Sequence, residues 1–349
     1  MVYKIGRHYE PMARRLADAD FFVSAVNPKL IKDYGNNSLR KVKTDKADAM
    51  KIARYAVENR QDLCQYTSMD TLRNQPKTMN RQFAFYTKQK TALKNNLIAL
   101  LDMTYPSVNT FFNSPARSDG SQKWVDFAAS FWHVECVRSM GLSAFTKRYY
   151  KWCKRHSYNF QPQKPAEIFY ASKVLIAIFP KNDMSKLMIK QAIEQLHTVS
   201  SDVEHLRTEM NRMASKLPEY PIVMEMCGVG TSLGPQLMAE IGDIFRFTRR
   251  ECLTAFTGVD PGANQSSKYE AQSARTSKRG SPYLRKTLFQ IMDCLIKTTP
   301  LDDSVYRFMD KKRSDGKSYY VYMTAGANKF LRVYYGRVRE YLYSLSETE

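Results

Sequence analysis

The chain has 349 residues, and its 54 Lys and Arg outnumber its 34 Asp and Glu, which gives a formal net charge of +20 at pH 7. A hydrophobic content of 43% is enough for a buried core and argues against general disorder. No apolar run approaches the length of a membrane span, and the first residues lack the apolar core of a signal peptide. The composition therefore predicts a soluble, cytoplasmic protein with two or three domains and no membrane partner.

The positive charge predicts a polyanionic partner. A surface field of this sign attracts nucleic acids and makes their association fast and sensitive to salt. The alternative is a basic surface with no binding role. The motifs described below favour nucleic acid.

The first 65 residues carry both helix and strand patterns. Helical spacing over 10–19 is followed by an apolar run over 21–26, which predicts a helix and then a buried strand. Short helices are predicted over 28–34 and 45–55. One clear strand cannot form an independent sheet, so this α/β portion is expected to belong to an incomplete domain.

Asp45 and Asp48 are the residues of this segment best suited to chemistry. At i and i+3 they lie on one helical face, where two carboxylates can share a hard divalent cation. Acidic residues are also common in the first turn of a helix, where they cap it and complement its dipole. Spacing alone favours the capping interpretation.

Residues 66–218 are predicted to be a helical and coiled-coil region. A long helix is expected over 71–103, and apolar side chains at alternating three- and four-residue spacing predict a coiled-coil helix over 185–217. The coiled-coil helix can pair either with the helix over 71–103 or with a second copy of the chain.

An aromatic-rich insert over 107–183 is predicted to be irregular, with short helical pieces. Its tryptophans and the lysines and arginines between them could stack on bases. Aromatic side chains at helical spacing more often fill a core, and this second interpretation is favoured for Trp124, Trp132 and Trp152.

Residues 219–349 are predicted to be a helical C-terminal domain that opens with a helix-hairpin-helix. An apolar run, the turn at 228–230 and an amphipathic helix from about Thr231 would leave backbone N–H groups facing a phosphate. A basic Gly/Ser loop follows over 277–286. The predicted nucleic-acid contacts are Gly228, Gly230, Thr231, Arg275, Lys278, Arg279 and Arg285.

Two separated sets of motifs, in a consistent order, suggest a family. The N-terminal set lies at 23–28 and 39–49, and the C-terminal set lies at 228–230, 239–243, 256–261, 265–266 and 277–285. Together they resemble the DEDD transposases of the IS110 insertion-sequence family, which includes Piv-type DNA invertases and bridge-RNA-guided recombinases. The resemblance covers nearly all of the chain, and the insert is its least diagnostic part.

The resemblance implies a RuvC-like, RNase H-type domain with four acidic residues around Mg²⁺, a coiled-coil linker and a helical domain that supplies a serine nucleophile. The nucleophile maps onto Ser266, and Asp45 and Asp48 map onto the last two acidic positions and onto the metal ligands. The implied activity is DNA strand exchange through a covalent phosphoserine. The implied partners are DNA, a structured guide RNA and further copies of the chain in a dimer or tetramer.

The sequence also departs from the family pattern. Tyr3 stands where the resemblance expects the family's Glu, and nothing corresponds to the first Asp. We therefore expect an N-terminally truncated or degenerate transposase with an incomplete Mg²⁺ site and impaired catalysis. Alternatives are an inactive DNA- or RNA-binding remnant that modulates full-length transposase and, with less support, a junction-binding repair factor.

Overall fold

The computed structural model describes residues 2–4, 9–26, 28–34, 44–63, 65, 71–260, 265–266, 269–270 and 276–347. Most of these residues are helical, so the predicted mainly α fold is confirmed. The chain divides into two compact units, one formed by residues 1–77 with 215–349 and the other by residues 78–214. Within the described ranges, no helix combines the length and apolar character needed to cross a membrane.

The N-terminal part of the first unit contains a small α/β arrangement. Its two strands pair in parallel, with Tyr3 opposite Ala25. Helix α3 packs against strand β1 and helix α2. The elements are β1 (Val2–Lys4), α1 (Tyr9–Asp18), β2 (Ser24–Val26), α2 (Pro28–Tyr34) and α3 (Asp45–Glu58).

The strand β2 is shorter than the predicted strand over 21–26. Asp20 adopts a left-handed φ of 60°, and the Phe21 N–H donates to the Leu16 carbonyl at 3.0 Å, so Phe21 takes part in ending helix α1. Phe21 and Phe22 are exposed, whereas Val23 and Val26 are buried. The prediction of one continuous buried strand over 21–26 is therefore wrong, because the first residues of the apolar run belong to the terminus of α1.

The second unit is helical and includes the insert that was predicted to be irregular. The insert folds into short helices, so the expectation of helical pieces is confirmed. Helix α4 begins in the first unit and continues into the second. The helices are α4 (Thr71–Asp102), α5 (Lys123–Ser130), α6 (Glu135–Arg138), α7 (Leu142–Arg155), α8 (Lys164–Val174) and α9 (Asp183–Ala214).

Aromatic side chains form the core of the second unit. Trp124, Trp132 and Trp152 are 4%, 9% and 5% exposed, which confirms the interpretation as core residues. The rings of Phe127 and Phe131 stack with centroids 4.7 Å apart. Such pairs add to the free energy gained by burying apolar surface.

Helices α4 and α9 pack against each other within the second unit. Phe83 of α4 lies in one buried cluster with Val203 and Met210 of α9. Lys90 and Glu204 approach to 3.8 Å alongside this cluster. The coiled-coil pattern over 185–217 therefore finds a partner helix in the same chain, which was the first of the two predicted alternatives.

The C-terminal part of the first unit is a helical bundle around its last helix. Helix α15 packs against α10, α12, α13 and α14, and α11 packs against α13. A Cβ at Gly326 would lie 2.4 Å from Met309 Sδ, so α14 and α15 approach closely there. These helices are α10 (Tyr220–Met224), α11 (Leu233–Ile241), α12 (Arg250–Thr257), α13 (Pro282–Thr298), α14 (Ser304–Ser314) and α15 (Tyr319–Ser346).

Candidate active-site loop and nucleic-acid interface

Helices α12 and α13 are joined by a loop whose two ends are hydrogen-bonded to each other. The Ser277 N–H donates to the Asp260 carbonyl at 3.0 Å, and the Lys278 N–H donates to the Gly258 carbonyl at 3.0 Å. The Ser277 hydroxyl also donates to Asp260 Oδ1 at 2.8 Å. The chain therefore leaves and returns at one place, which we call the loop base (residues 256–260 and 277–281).

Two glycines allow the two segments of the loop base to approach each other this closely. Gly258 ends α12 with a φ of +67°, a left-handed conformation that favours glycine. A Cβ at Gly280 would lie 2.0 Å from the Phe256 carbonyl oxygen, a distance at which backbone would have to move. The neighbouring Ser281 N–H donates to the same carbonyl at 3.1 Å.

Side chains from two helices hold the loop base in place. Arg285 Nη1 donates to the carbonyls of Thr257 and Gly280 at 2.9 and 3.0 Å, and burial lowers the pKa of this guanidinium below its ordinary value. The Ser281 hydroxyl caps α13 by accepting from the Leu284 N–H at 3.3 Å and donates to Glu240 Oε2 at 2.9 Å. Arg285 is predicted to contact nucleic acid, but its Nη1 atom is used to hold the loop base.

Ser266 lies in the chain that the loop base closes. Strand β3 (Gln265–Ser266) pairs antiparallel with β4 (Tyr269–Glu270), and Ser266 is opposite Tyr269. The predicted nucleophile is therefore part of a short strand pair in the segment that connects α12 to α13. Arg275, another predicted contact, lies outside the described residues.

The turn between α10 and α11 contains the other predicted backbone contacts. Gly228 has a φ of +77°, and a Cβ there would lie 3.0 Å from the Ile291 carbonyl oxygen, so this glycine permits close packing on α13. Gly230 and Thr231 are exposed. The Gly230 carbonyl accepts from the Gly234 N–H at 2.8 Å, which begins the α11 hydrogen-bonding pattern. The exposed side of the turn is thus at Gly230 and Thr231, next to the positive end of the α11 dipole.

Two predicted basic contacts lie at the exposed edge of the loop base. Lys278 and Arg279 are both exposed, and Lys278 adopts a left-handed φ of 51°. Both belong to the segment that closes the loop containing Ser266. Their charges therefore lie where the Ser266 loop returns to α13.

The predicted acidic pair begins helix α3. Thr44 is the N-cap, and its hydroxyl accepts from the Ala47 N–H at 3.2 Å; Asp45 and Asp48 occupy the first turn and are exposed. Among the described residues, no group of three or more His, Cys, Asp or Glu side chains is arranged to hold a metal ion. The cap itself is provided by Thr44, so neither carboxylate is needed for that bond.

Arg73 is a site-related residue that sequence reasoning missed. Near the start of α4, its guanidinium forms a two-point ion pair with the buried Glu219 at the N-cap of α10, and it also donates to the Gly242 carbonyl at the end of α11 at 3.3 Å. Arg73 therefore joins both ends of the α10–α11 element. Sequence reasoning also missed Glu240, Asp260 and Ser277. Each of them, like Arg73, forms a hydrogen bond with a residue that is distant in sequence.

Two family models match the chain. A DEDD-type transposase model of the IS110 group matches residues 1–106, and the model described as Transposase IS116/IS110/IS902 family matches residues 220–307. The chain belongs to the IS110 family of transposases. The resemblance predicted from the motifs is thereby confirmed, and membership of a transposase family implies that the protein binds DNA. A search of curated proteins finds no match.

The two matches divide the candidate site of this IS110-family transposase. The C-terminal match contains the turn, the loop base and Ser266, whereas the N-terminal match contains Asp45 and Asp48. Residues 107–219 lie outside both matches.

The DEDD domain implies the use of a divalent metal ion. Asp45 and Asp48 fit as two oxygen ligands one helical turn apart, but Mg²⁺ prefers six-coordinate geometry with several fixed ligands. In the ranges that the structure describes, no third acidic side chain joins them. The two carboxylates would therefore supply only part of the ligand set that Mg²⁺ prefers.

Proposed function

We propose that this chain exchanges DNA strands through a covalent bond between Ser266 and a DNA phosphate. The observation that supports the proposal is the closed loop base, whose hydrogen bonds join the two ends of the segment that contains Ser266, with Lys278 and Arg279 in its returning end. The family match over residues 220–307 includes all of these residues. Exposed cations at the returning end of this loop suit a negatively charged phosphodiester.

The proposed reaction conserves phosphodiester bonds. The Ser266 oxygen bonds to phosphorus, the bond from phosphorus to one deoxyribose oxygen breaks, and the serine proton passes to a base while the released oxygen gains a proton. Attack on the phosphoserine by a deoxyribose hydroxyl of another strand then restores Ser266 and joins the strands. One phosphodiester replaces another, so the exchange needs neither net hydrolysis nor an energy source.

The DNA backbone is proposed to contact the exposed side of the α10–α11 turn and the edge of the loop base. Gly230 and Thr231 would present backbone N–H groups at the start of α11, and Lys278 and Arg279 would contribute charge. Arg275 remains proposed as a further contact, and Gly228 and Arg285 are proposed to shape the interface through their packing. These contacts grip the backbone and carry no base specificity. A structured guide RNA and a dimeric or tetrameric assembly are proposed from the family resemblance.

Asp45 and Asp48 are proposed as two ligands of Mg²⁺. Such an ion, if held by these two carboxylates, would supply positive charge to a nearby phosphate. The side chains' exposure at the start of α3 leaves both carboxylates accessible to such an ion.

A covalent adduct is the decisive test of the proposed function. The purified chain would be mixed with a supercoiled plasmid carrying the ends of the element, the adjoining non-coding RNA and Mg²⁺, and then denatured before electrophoresis. We expect a protein–DNA adduct that is lost in Ser266→Ala and kept in the matched control Ser267→Ala. An adduct retained in Ser266→Ala would contradict the proposal.

A second candidate function is a binding-only remnant that modulates full-length transposase through mixed oligomers. The observation that favours it is the residue Tyr3, which lies in β1 opposite Ala25 and for which the resemblance expects an acidic ligand. The same experiment separates the two candidates. A parent chain that binds DNA but forms no adduct would indicate the binding-only remnant.

A further inference from the structure

The second unit contains a small cavity at the start of the insert. It measures about 290 Å³ and is lined mostly by polar groups, among them the side chains of Lys94, Asn109, Asn113 and Gln122. Phe112 and Trp124 form its apolar wall. This volume is near the lower end of ligand pockets, which begin at about 300 Å³, so the cavity can hold part of a nucleotide, such as the edge of its base.

Two polar side chains of this cavity, those of Asn109 and Asn113, are available to a ligand. Gln122 is occupied, because its Oε1 accepts from Trp124 Nε1 at 2.6 Å. The side-chain amides of Asn109 and Asn113, by contrast, have no hydrogen-bond partner among the described residues. Each amide offers both a donor and an acceptor, which is the pattern of a nucleobase edge.

Cations surround the apolar wall of the cavity. Lys94 lies 5.8 Å from the Trp124 ring and has no ion-pair partner in the part of the chain described, while Lys123 and Lys164 lie 5.3 and 5.9 Å from the Phe112 ring. Lys164 is paired with Glu167 at 2.7 Å. Burial lowers the pKa of Lys123, and the charges of Lys164 and Arg117 lower it further. The cluster thus keeps an excess of positive charge beside the cavity.

We infer that this cavity binds one unpaired nucleotide of a single-stranded nucleic acid, with its phosphate at Lys94 and its base edge at Asn109 and Asn113. Phe112 and Trp124 are 8% and 4% exposed, so they can support a base or ribose from the side but cannot intercalate. The base edge must be unpaired because pairing in a duplex would occupy the same donors and acceptors. Such strands occur in loops of structured RNA and in DNA opened during recombination.

The inference deepens the proposed function, since it rests on the proposed nucleic-acid partner, but it does not require Ser266 to react. Binding is therefore measured without cleavage. The full chain would be titrated with fluorescent single-stranded oligonucleotides of about ten residues, as RNA and as DNA, at several salt concentrations. A duplex of the same length serves as the competitor.

Lys94→Gln and Asn113→Ala test the phosphate and base contacts, and Lys186→Gln removes an equal charge from an exposed position on α9. We expect Lys94→Gln to weaken binding about tenfold and Asn113→Ala about fivefold, because each loses one hydrogen-bonding partner of the ligand. The salt slope of log K should fall by about 0.7 for Lys94→Gln and stay unchanged for Asn113→Ala. Lys186→Gln should bind as the parent chain does.

Comparison of the RNA and DNA titrations identifies the source of the nucleotide. Tighter binding of RNA indicates a guide RNA and tighter binding of DNA indicates an opened DNA strand, and both support the inference. Equal effects of all three variants, or full competition by the duplex, would overturn it. A chain that keeps this binding but forms no Ser266 adduct would leave the cavity assigned and reject the proposed catalysis, so the two proposals can fail separately.

Discussion

The Ser281 hydroxyl donates a 2.9 Å hydrogen bond to Oε2 of Glu240, a residue that is only 1% exposed. Ser281 is also the N-cap of α13 and follows the closely packed Gly280. This single bond therefore connects α11, the loop base and the start of α13.

Glu240→Ala is expected to lower the free energy of unfolding by about 1–3 kcal/mol, because it leaves the Ser281 donor without this acceptor. Glu240→Gln keeps a carbonyl oxygen at the same place and should retain most of the stability. Urea denaturation measures both, and the exposed Glu225→Ala is the control. If Glu240→Ala is as stable as the parent chain, the bond does not stabilise the fold. If the variant is less stable but its folded fraction forms the adduct normally, Glu240 does not position the Ser266 loop.

Gly280→Ala is expected to abolish the Ser266 adduct. The added Cβ would meet the Phe256 carbonyl oxygen at 2.0 Å, so the loop base must open to admit it. Gly336→Ala is the matched control, because nothing lies within 4 Å of a Cβ there and alanine should stabilise α15 by about 0.5–1 kcal/mol. Adduct yield and circular dichroism together distinguish a displaced loop from an unfolded chain. Parent-level adduct from Gly280→Ala would show that the loop base need not be closed.

Arg73→Ala is expected to destabilise the first unit by about 3 kcal/mol, since it leaves the buried carboxylate of Glu219 without its partner. Burial lowers the pKa of Arg73, but the hydrogen bond and charge of Glu219 outweigh it and raise that pKa above its ordinary value. Arg337→Ala breaks the exposed pair with Glu225 and should change stability by less than about 1 kcal/mol. Chemical denaturation compares the two variants. Similar losses in both would mean that the Arg73 pair does not anchor α10 and α11.

Thr44→Ala and Asp48→Asn separate capping from metal binding at the start of α3. Thr44→Ala removes the bond to the Ala47 N–H and should cost about 1 kcal/mol, with the response to Mg²⁺ unchanged. Asp48→Asn should reduce the rise in melting temperature that Mg²⁺ produces, because one of two carboxylate ligands is lost. Thermal unfolding with and without Mg²⁺ is the measurement. A parent chain and an Asp48→Asn variant that respond equally to Mg²⁺ would leave Asp48 with a capping role alone.

Local patterns in the sequence were sufficient for the helices and the family. The predicted helix over 28–34 has the bounds of α2, and those over 45–55 and 71–103 correspond to α3 and α4, because apolar periodicity, Thr44 and the flanking loop residues act within a few positions. The same holds for the motifs around Ser266, whose order along the chain identified the transposase family before any contact was known.

Only the tertiary structure decided which distant residues meet. Phe21 and Phe22 follow the pattern of a buried strand, yet the end of α1 leaves them exposed. The apolar face of α9 does not specify its partner in the sequence, and the fold brings Phe83 of α4 against it. Glu240 is an ordinary helical glutamate until α13 brings Ser281 to it. The amino-acid sequence encodes local conformation through neighbouring residues, whereas burial and ion pairing depend on residues that only folding brings together.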